Sequence, residues 1–215
     1  VSDWVSGDKL TVSKNEMFYD AANVALDEVN FFPIEEETAE LNLYREGALD
    51  LTANVPSDII EEVRGEFGEE VIVTPYGGTY YYAFNTNDDA LSDPMIRSAL
   101  SMTIDRDFIA DVVNPTGIIP AYSFVPTSLG GYDTQNPSWV SMSYDERVAK
   151  AQGVLEAAGY TADNPLKATI NYNTSEGHKA IALAISDMWS KVGIAVELFN
   201  QDVGTHYDGL QAQDF

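Results

Sequence analysis

Apolar residues in the second half of the chain follow a strand pattern, then a helical pattern, then a strand pattern again. Residues 166–172 and 194–199 are short β-rich runs, whereas the stretch that begins at Ser175 has helical spacing. Its periodic apolar positions are Ile181, Ile185, Met188 and Val192. Strands that alternate with helices are typical of a sheet covered by helices, so this pattern predicts an α/β lobe.

Capping residues mark the starts of further helices. Asp93 precedes a first-turn proline, Asp105 is a second candidate cap, and Ser143 with Glu146 has the spacing of a capping box. The helix that begins at Ser143 is expected to end at Gly159. Other helices are predicted at residues 35–47, from Pro56 to about Arg64, and after Asp202. The helix after Asp105 is expected to bury Phe108, Ile109 and Val112.

Strand-type residues are most concentrated at residues 79–85, Thr-Tyr-Tyr-Tyr-Ala-Phe-Asn, which is the strongest strand prediction. Residues 114–141 are rich in proline and glycine and predict a long loop. The first 75 residues have a more mixed pattern, so we place a lobe boundary near residues 75–80. Other strands are predicted at residues 8–14, 24–34, 49–53 and 71–73.

Composition narrows the classes of function. The 215 residues are 45 % apolar and contain no cysteine, which predicts a globular chain without disulfides, zinc–thiolate sites or a thiol nucleophile. Asp and Glu number 35 against 11 Lys and Arg, a net charge of −24. Such a surface repels nucleic acids and anionic membranes and suits a saline medium, where ions screen the repulsion. No apolar run reaches the roughly 18 residues of a membrane span.

Catalytic motifs are absent from the sequence. Only two histidines occur, and there is no nucleophile elbow, phosphate-binding glycine loop or His-Glu-x-x-His pattern. With 35 acids, neighbouring carboxylates arise by chance, so an acid-pair hydrolase is a weak alternative. We therefore predict that the chain is not an enzyme and that it holds no cofactor or metal.

Tyr80, Tyr81 and Tyr82 are the first candidate binding residues. Consecutive residues of a strand face alternate sides, so at least one ring is expected to point away from the core. Exposed tyrosines offer a flat apolar face and a polar tip, which suits an adaptable ligand wall. Packing of the rings between two layers is the alternative interpretation.

His178 is the second candidate, in the first turn of the helix that begins at Ser175. It lies three residues before Ile181 and so shares the inward face of that helix. Free N–H groups at a helix N-terminus favour an anion, and a carboxylate could bind there with a further hydrogen bond from His178. The alternative is a partly buried histidine bonded to its own loop. Trp139, in the long loop, could lie at the surface or in a cleft.

Several motifs, in order along the whole chain, resemble the family of extracellular solute-binding proteins that includes the oligopeptide- and dipeptide-binding proteins. The most specific is TYYYAFNT at residues 79–86, followed by RSAL at 97–100 and IDR at 104–106. The segment YNTSEGHK at 172–179 is similar to a turn of the oligopeptide-binding branch. Further matching segments are NLYREGALDL at 42–51, PAYSFVP at 120–126, AAGY at 157–160 and WSKVGIAVEL at 189–198.

The resemblance implies a type II periplasmic-binding-protein fold, a two-lobed clamshell that captures oligopeptides for the permease of an ABC importer. The exported protein would hold the peptide as an added strand, with roomy side-chain pockets. Residues 1–77 would be the end of the first lobe and residues 78–215 most of the second, ligand-covering lobe. The chain is expected to be a fragment that stops before the aspartate that pairs with the amino group of the peptide. On its own it should bind peptide weakly or not at all.

The resemblance assigns Tyr80, Tyr81, Tyr82, Ala83 and His178 to the wall of the peptide cleft. The chain also departs from the related oligopeptide binders. They carry a glutamate at the position of Ala83, a tryptophan at Val203, an arginine at Leu210 and a lysine near residues 112–114. The loss of these charges modestly favours the alternative that the same fold binds a non-peptide solute, such as an opine, a sugar or a metal chelate.

Overall fold

A computed structural model describes residues 1–74 and 76–215 and divides them into two compact units, Val1–Val55 and Pro56–Phe215. A lobe is a property of the whole two-lobed protein, so the lobe boundary between residues 77 and 78 stays a prediction. Pro75, at the start of the region in which we place that boundary, lies outside the described residues.

The first unit contains a three-stranded antiparallel sheet, a 3-10 helix at Ala21–Asn23 and one α-helix. The strands β1, β2 and β3 pair in sequence order and are followed by the helix α1, which buries Leu41. Gly47, just after α1, has a φ of +74°, a left-handed conformation that glycine adopts without a steric penalty. The elements are β1 (Asp3–Val5), β2 (Lys9–Ser13), β3 (Glu28–Phe31) and α1 (Glu37–Arg45).

The second unit contains a parallel strand–helix–strand unit surrounded by helices. The strand β4 (Lys167–Asn173) pairs in parallel with β5 (Ala195–Gln201), and α6 (Glu176–Lys191) connects them. This arrangement confirms the predicted α/β class. The remaining helices are α2 (Ile60–Phe67), α3 (Pro94–Met102), α4 (Arg106–Phe108), α5 (Tyr144–Ala157) and α7 (Val203–Ala212).

The core of the second unit lies between α3, α5, α6 and the parallel strands. Leu100 is fully buried, and its carbonyl accepts a hydrogen bond of 3.1 Å from the indole of Trp189. Trp139 is also buried in this core, at 7 % exposure, so it occupies neither the surface nor an open cleft. The other buried core residues include Ile96, Met102, Leu155, Leu166, Ile170, Ile181, Ile185 and Ile194.

The predicted helix caps are confirmed because caps depend on local sequence. The side chains of Asp93, Asp105 and Asp202 accept hydrogen bonds from backbone N–H groups of the helices that follow them. Ser143 and Glu146 form the expected capping box, and Ser175 caps α6.

Three predicted strands are wrong. Residues 49–53, 71–73 and 79–85 join no strand, because among the described residues none forms the backbone ladder that a strand needs. The chain after Asp105 also differs from its prediction. α4 continues as a π-helical turn at Ile109–Val113, which buries Ile109 but leaves Phe108 and Val112 exposed.

Candidate functional site

The side chains of Tyr80, Tyr82 and His178 form an aromatic cluster in the second unit. The Tyr80 ring lies 5.3 Å from the imidazole of His178, and the rings of Tyr80 and Tyr82 meet edge to face at 5.8 Å. Tyr81 points elsewhere and contacts the ring of Phe124 at 5.2 Å. The three tyrosines therefore alternate as expected of an extended chain, although they belong to no sheet.

His178 is held by the start of α6 and by the strand before it. Its backbone N–H donates to Ser175 Oγ at 3.5 Å, and its Nδ1 lies 2.9 Å from Asn173 Oδ1. Since the amide oxygen can only accept, we assign the Nδ1 proton to this hydrogen bond, which leaves Nε2 available. Burial lowers the pKa of His178 from its ordinary value of 6.5, so the neutral ring is favoured at pH 7.

The ring of His178 is bonded to Asn173, at the end of β4, and it also contacts the ring of Tyr80. A ligand-binding role of His178 stays a prediction. In the neutral form Nε2 accepts a hydrogen bond, for instance from a peptide N–H. In the protonated form it would donate one to a carboxylate.

The hydroxyl groups of Tyr80 and Tyr82 stay protonated and can donate hydrogen bonds. The hydroxyls lie 3.5 Å apart, and burial raises the pKa of each tyrosine further above its ordinary value of 10.0. Tyr80 remains 54 % exposed, so part of its ring is accessible to a ligand.

Tyr81 and Ala83 lie on the same extended segment but outside the cluster. Tyr81 is 61 % exposed and Ala83 is also exposed. Thr79 Oγ1 donates to the carbonyl of Phe124 at 2.8 Å, so the long loop is attached to this end of the segment. The structure thus brings together three of the five predicted site residues.

The helix α7 supplies residues that the sequence prediction missed. His206 and Tyr207 have ring centroids 5.6 Å apart, and His206 lies close enough to His178 to lower its pKa further. At the other end of α7, the Asn85 side chain donates to the backbone carbonyls of Gln213 and Phe215, at 3.2 and 2.8 Å.

One signal could have placed His206 and Tyr207 of the predicted last helix near the site. The strands β4 and β5 are parallel, and the carboxyl ends of parallel strands meet at one edge of a sheet. α6 begins after β4 and α7 begins after β5. His178 and His206 lie near the starts of these helices and are therefore expected at the same edge of the sheet. We define the wall as Tyr80, Tyr82, His178, His206 and Tyr207.

The whole sequence, residues 1–215, matches the model of the bacterial extracellular solute-binding proteins, family 5 Middle. The chain belongs to this family. The resemblance drawn from the motifs is thereby confirmed. The chain is 35 % identical to the periplasmic oligopeptide-binding protein OppA of Escherichia coli (strain K12) over 210 residues, which are 97 % of this chain and 39 % of that protein.

Two solved structures show the same fold as this family 5 chain. The murein tripeptide binding protein MppA of Escherichia coli has a TM-score of 0.92 and 38 % identity, over 99 % of this chain and 42 % of that chain. Haemophilus influenzae OppA in complex with RPPGFSPFR has a TM-score of 0.90 and 32 % identity, over 100 % and 43 %. The chain spans about two-fifths of the length of these relatives. The predicted periplasmic-binding-protein fold is thus confirmed for the part present.

The chain that carries the wall therefore belongs to a family of solute-binding proteins. Among the described residues no helix is long and apolar enough to cross a membrane. Within the same ranges no three His, Asp or Glu side chains are grouped as metal ligands would be.

Proposed function

We propose that the full-length protein that carries this chain captures oligopeptides outside the cytoplasm and delivers them to the permease of an ABC importer. The observation that supports this most is the aromatic cluster of Tyr80, Tyr82 and His178, which lies in a chain that matches the family 5 solute-binding proteins over its whole length. A similar protein, Haemophilus influenzae OppA, has been solved in complex with the peptide RPPGFSPFR, and a peptide can be held by backbone hydrogen bonds as an added strand.

The chemistry of the wall suits a ligand of variable sequence. Tyr80 and Tyr82 provide apolar ring faces with hydroxyl donors, and His178 provides a nitrogen that can accept or donate. Aromatic rings contact many kinds of side chain, whereas backbone hydrogen bonds are independent of ligand sequence. Affinity would therefore come mainly from the peptide backbone.

The remaining assignments belong to the same proposal. Tyr81 and Ala83 would line the site beside the wall, and residues 78–215 would form most of the ligand-covering lobe. The protein would act without catalysis, in the periplasm or at the outer face of the cell. Its relatives are named as binding proteins, which supports a binding role.

Calorimetric titration of the full-length protein with a pool of tri- to pentapeptides tests this proposal. We expect saturable binding that weakens at least about tenfold in His178→Ala, because the variant loses a hydrogen-bonding group and the ring that contacts Tyr80. Lys179→Ala is the matched control, since Lys179 is exposed in the same helical turn and pairs with Glu176. No heat with any peptide would reject the peptide ligand and direct the search to non-peptide solutes.

A further inference from the structure

Two arginines in the second unit are packed against aromatic rings instead of carboxylates. Arg147 is only 4 % exposed, and its guanidinium lies 5.7 Å from the ring of Tyr122 and 5.9 Å from that of Trp139. Arg106 lies 5.0 and 5.7 Å from the same two rings. The ion pairs between described side chains include neither arginine. In a chain with so many acids, this lack of a carboxylate partner calls for a physical reason.

The two arginines are bonded differently. Arg106 donates to the Ser101 and Ile104 carbonyls and to Ser101 Oγ, so the end of α3 fixes its position. Arg147 donates to the Tyr122 hydroxyl at 3.4 Å, while its Nε has no partner in the described part of the chain. A buried cation with so few hydrogen bonds depends on the faces of the surrounding rings. The rings around the Arg147 guanidinium are those of Tyr122, Trp139 and, at 5.6 Å, Tyr144 of its own helix.

Tyr122 belongs to the long loop between α4 and α5, and Trp139 lies in the 3-10 helix Ser138–Ser141 that follows this loop. From residue 114 to residue 137 this loop joins no helix or strand, so side chains must fix its path. Tyr122 and Trp139 contact each other edge to face at 6.0 Å, and the two guanidiniums pack against them. We call Arg106, Tyr122, Trp139 and Arg147 the loop anchor.

The loop anchor is connected to the extended segment beside the wall. Phe124 lies two residues after Tyr122, accepts a hydrogen bond from Thr79 Oγ1 and packs against the ring of Tyr81. These contacts hold the start of the segment, whereas Tyr82 and Phe84 further along it pack against the core. A displacement of Tyr122 would therefore move Phe124 and loosen Thr79 and Tyr81.

We propose that Arg147 is a positioning residue for the ligand-binding segment, acting through Tyr122 and Phe124. Its helix α5 is a rigid base because the capping box at Ser143 and Glu146 fixes its first turn. The role of Arg147 toward a ligand rests on the proposed function. Its connection to the start of the segment through Tyr122 and Phe124 rests only on the contacts given above.

Limited proteolysis of the full-length protein with chymotrypsin, which cuts after aromatic residues, tests the link without any ligand. We expect Arg147→Met, which keeps most of the volume but removes the guanidinium, to raise the rate of cleavage about tenfold or more within residues 79–84 and 121–126. Hydrogen exchange in β4 and α6 should stay as in the wild type. Lys150→Met, an exposed residue one turn further along α5, is the control and should change neither region.

Unchanged cleavage within residues 79–84 would overturn the proposal. So would a rise in cleavage accompanied by faster hydrogen exchange in β4, because that would be a general loss of stability. If Arg147→Met does not fold, Arg147→Lys carries the test by the same criteria, because it keeps the charge but loses the planar group that stacks on the rings.

Peptide titration then separates this inference from the proposed function. Arg147→Met should lower the affinity for the peptide pool about fivefold or more, and an unchanged affinity would contradict a positioning role. A wild-type protein that binds no peptide would reject the proposed function, while the proteolysis experiment would still decide the role of Arg147.

Discussion

The imidazole of His178 lies 5.3 Å from the ring of Tyr80, with the two planes inclined at 36°. This contact joins the first turn of α6 to an extended segment that lies about a hundred residues earlier in the chain. The hydrogen bond between the imidazole and Asn173 also fixes the position of the ring. Predictions about this site therefore depend on whether the His178 ring is neutral or protonated.

The stability of the protein should fall in mild acid partly because of His178. Burial holds the pKa of His178 below 6.5 in the folded protein, so below pH 6.5 the unfolded chain takes up this proton more readily. The stability that the neutral His178 ring contributes is fully present above pH 6.5. It is lost as the pH falls below 6.5 and through the lower pKa of the folded protein. Urea unfolding at about pH 7.5 and about pH 5.5 measures how much the free energy of unfolding falls in acid. This decrease should be smaller in His178→Gln than in the wild type. Equal losses would contradict this assignment.

Removal of a buried leucine should be far more damaging than removal of an exposed one. Leu100 is fully buried beside Trp189, so Leu100→Ala should lower the free energy of unfolding by about 2–5 kcal/mol. Leu183, on α6, is 51 % exposed, and Leu183→Ala should change it by no more than about 0.5 kcal/mol. Urea denaturation measures the free energy of unfolding of both variants. Similar decreases would contradict the position of Leu100 in the core.

Salt should stabilise the protein because its charges mostly repel one another. The net charge is −24, and the ion pairs seen among the described residues are exposed, local pairs within single helices, such as Lys191 with Asp187. We expect the melting temperature to rise between about 0.1 M and about 2 M KCl as the ions screen this repulsion. A melting temperature that is flat or falls would show that charge repulsion is not a significant cost.

The sequence predicted those parts of the fold that depend on short-range signals. Asp93, Asp105 and Ser143 cap the helices they were expected to cap, because a cap involves residues only two or three positions apart. Helices also begin after Ser175 and Asp202 as predicted. The strand–helix–strand order was equally visible, because apolar spacing is also a local property.

Long-range relationships limited the prediction. Residues 79–85 have the composition of a strand, but a strand also needs a neighbour, and composition cannot show whether one exists. Likewise, the approach of His206 to His178 follows from the parallel pairing of β4 with β5. The contact of Phe124 with Tyr81 depends on the path of the long loop, which no local pattern fixes.

A double-mutant cycle on peptide affinity tests the central claim, that Tyr80 and His178 act together as a peptide-binding wall. Titration of the wild type, Tyr80→Ala, His178→Ala and the double variant with one bound tripeptide measures the coupling. We predict at least about tenfold weaker binding in each single variant and a coupling energy of about 0.5–3 kcal/mol. Single variants that bind as tightly as the wild type would contradict the claim.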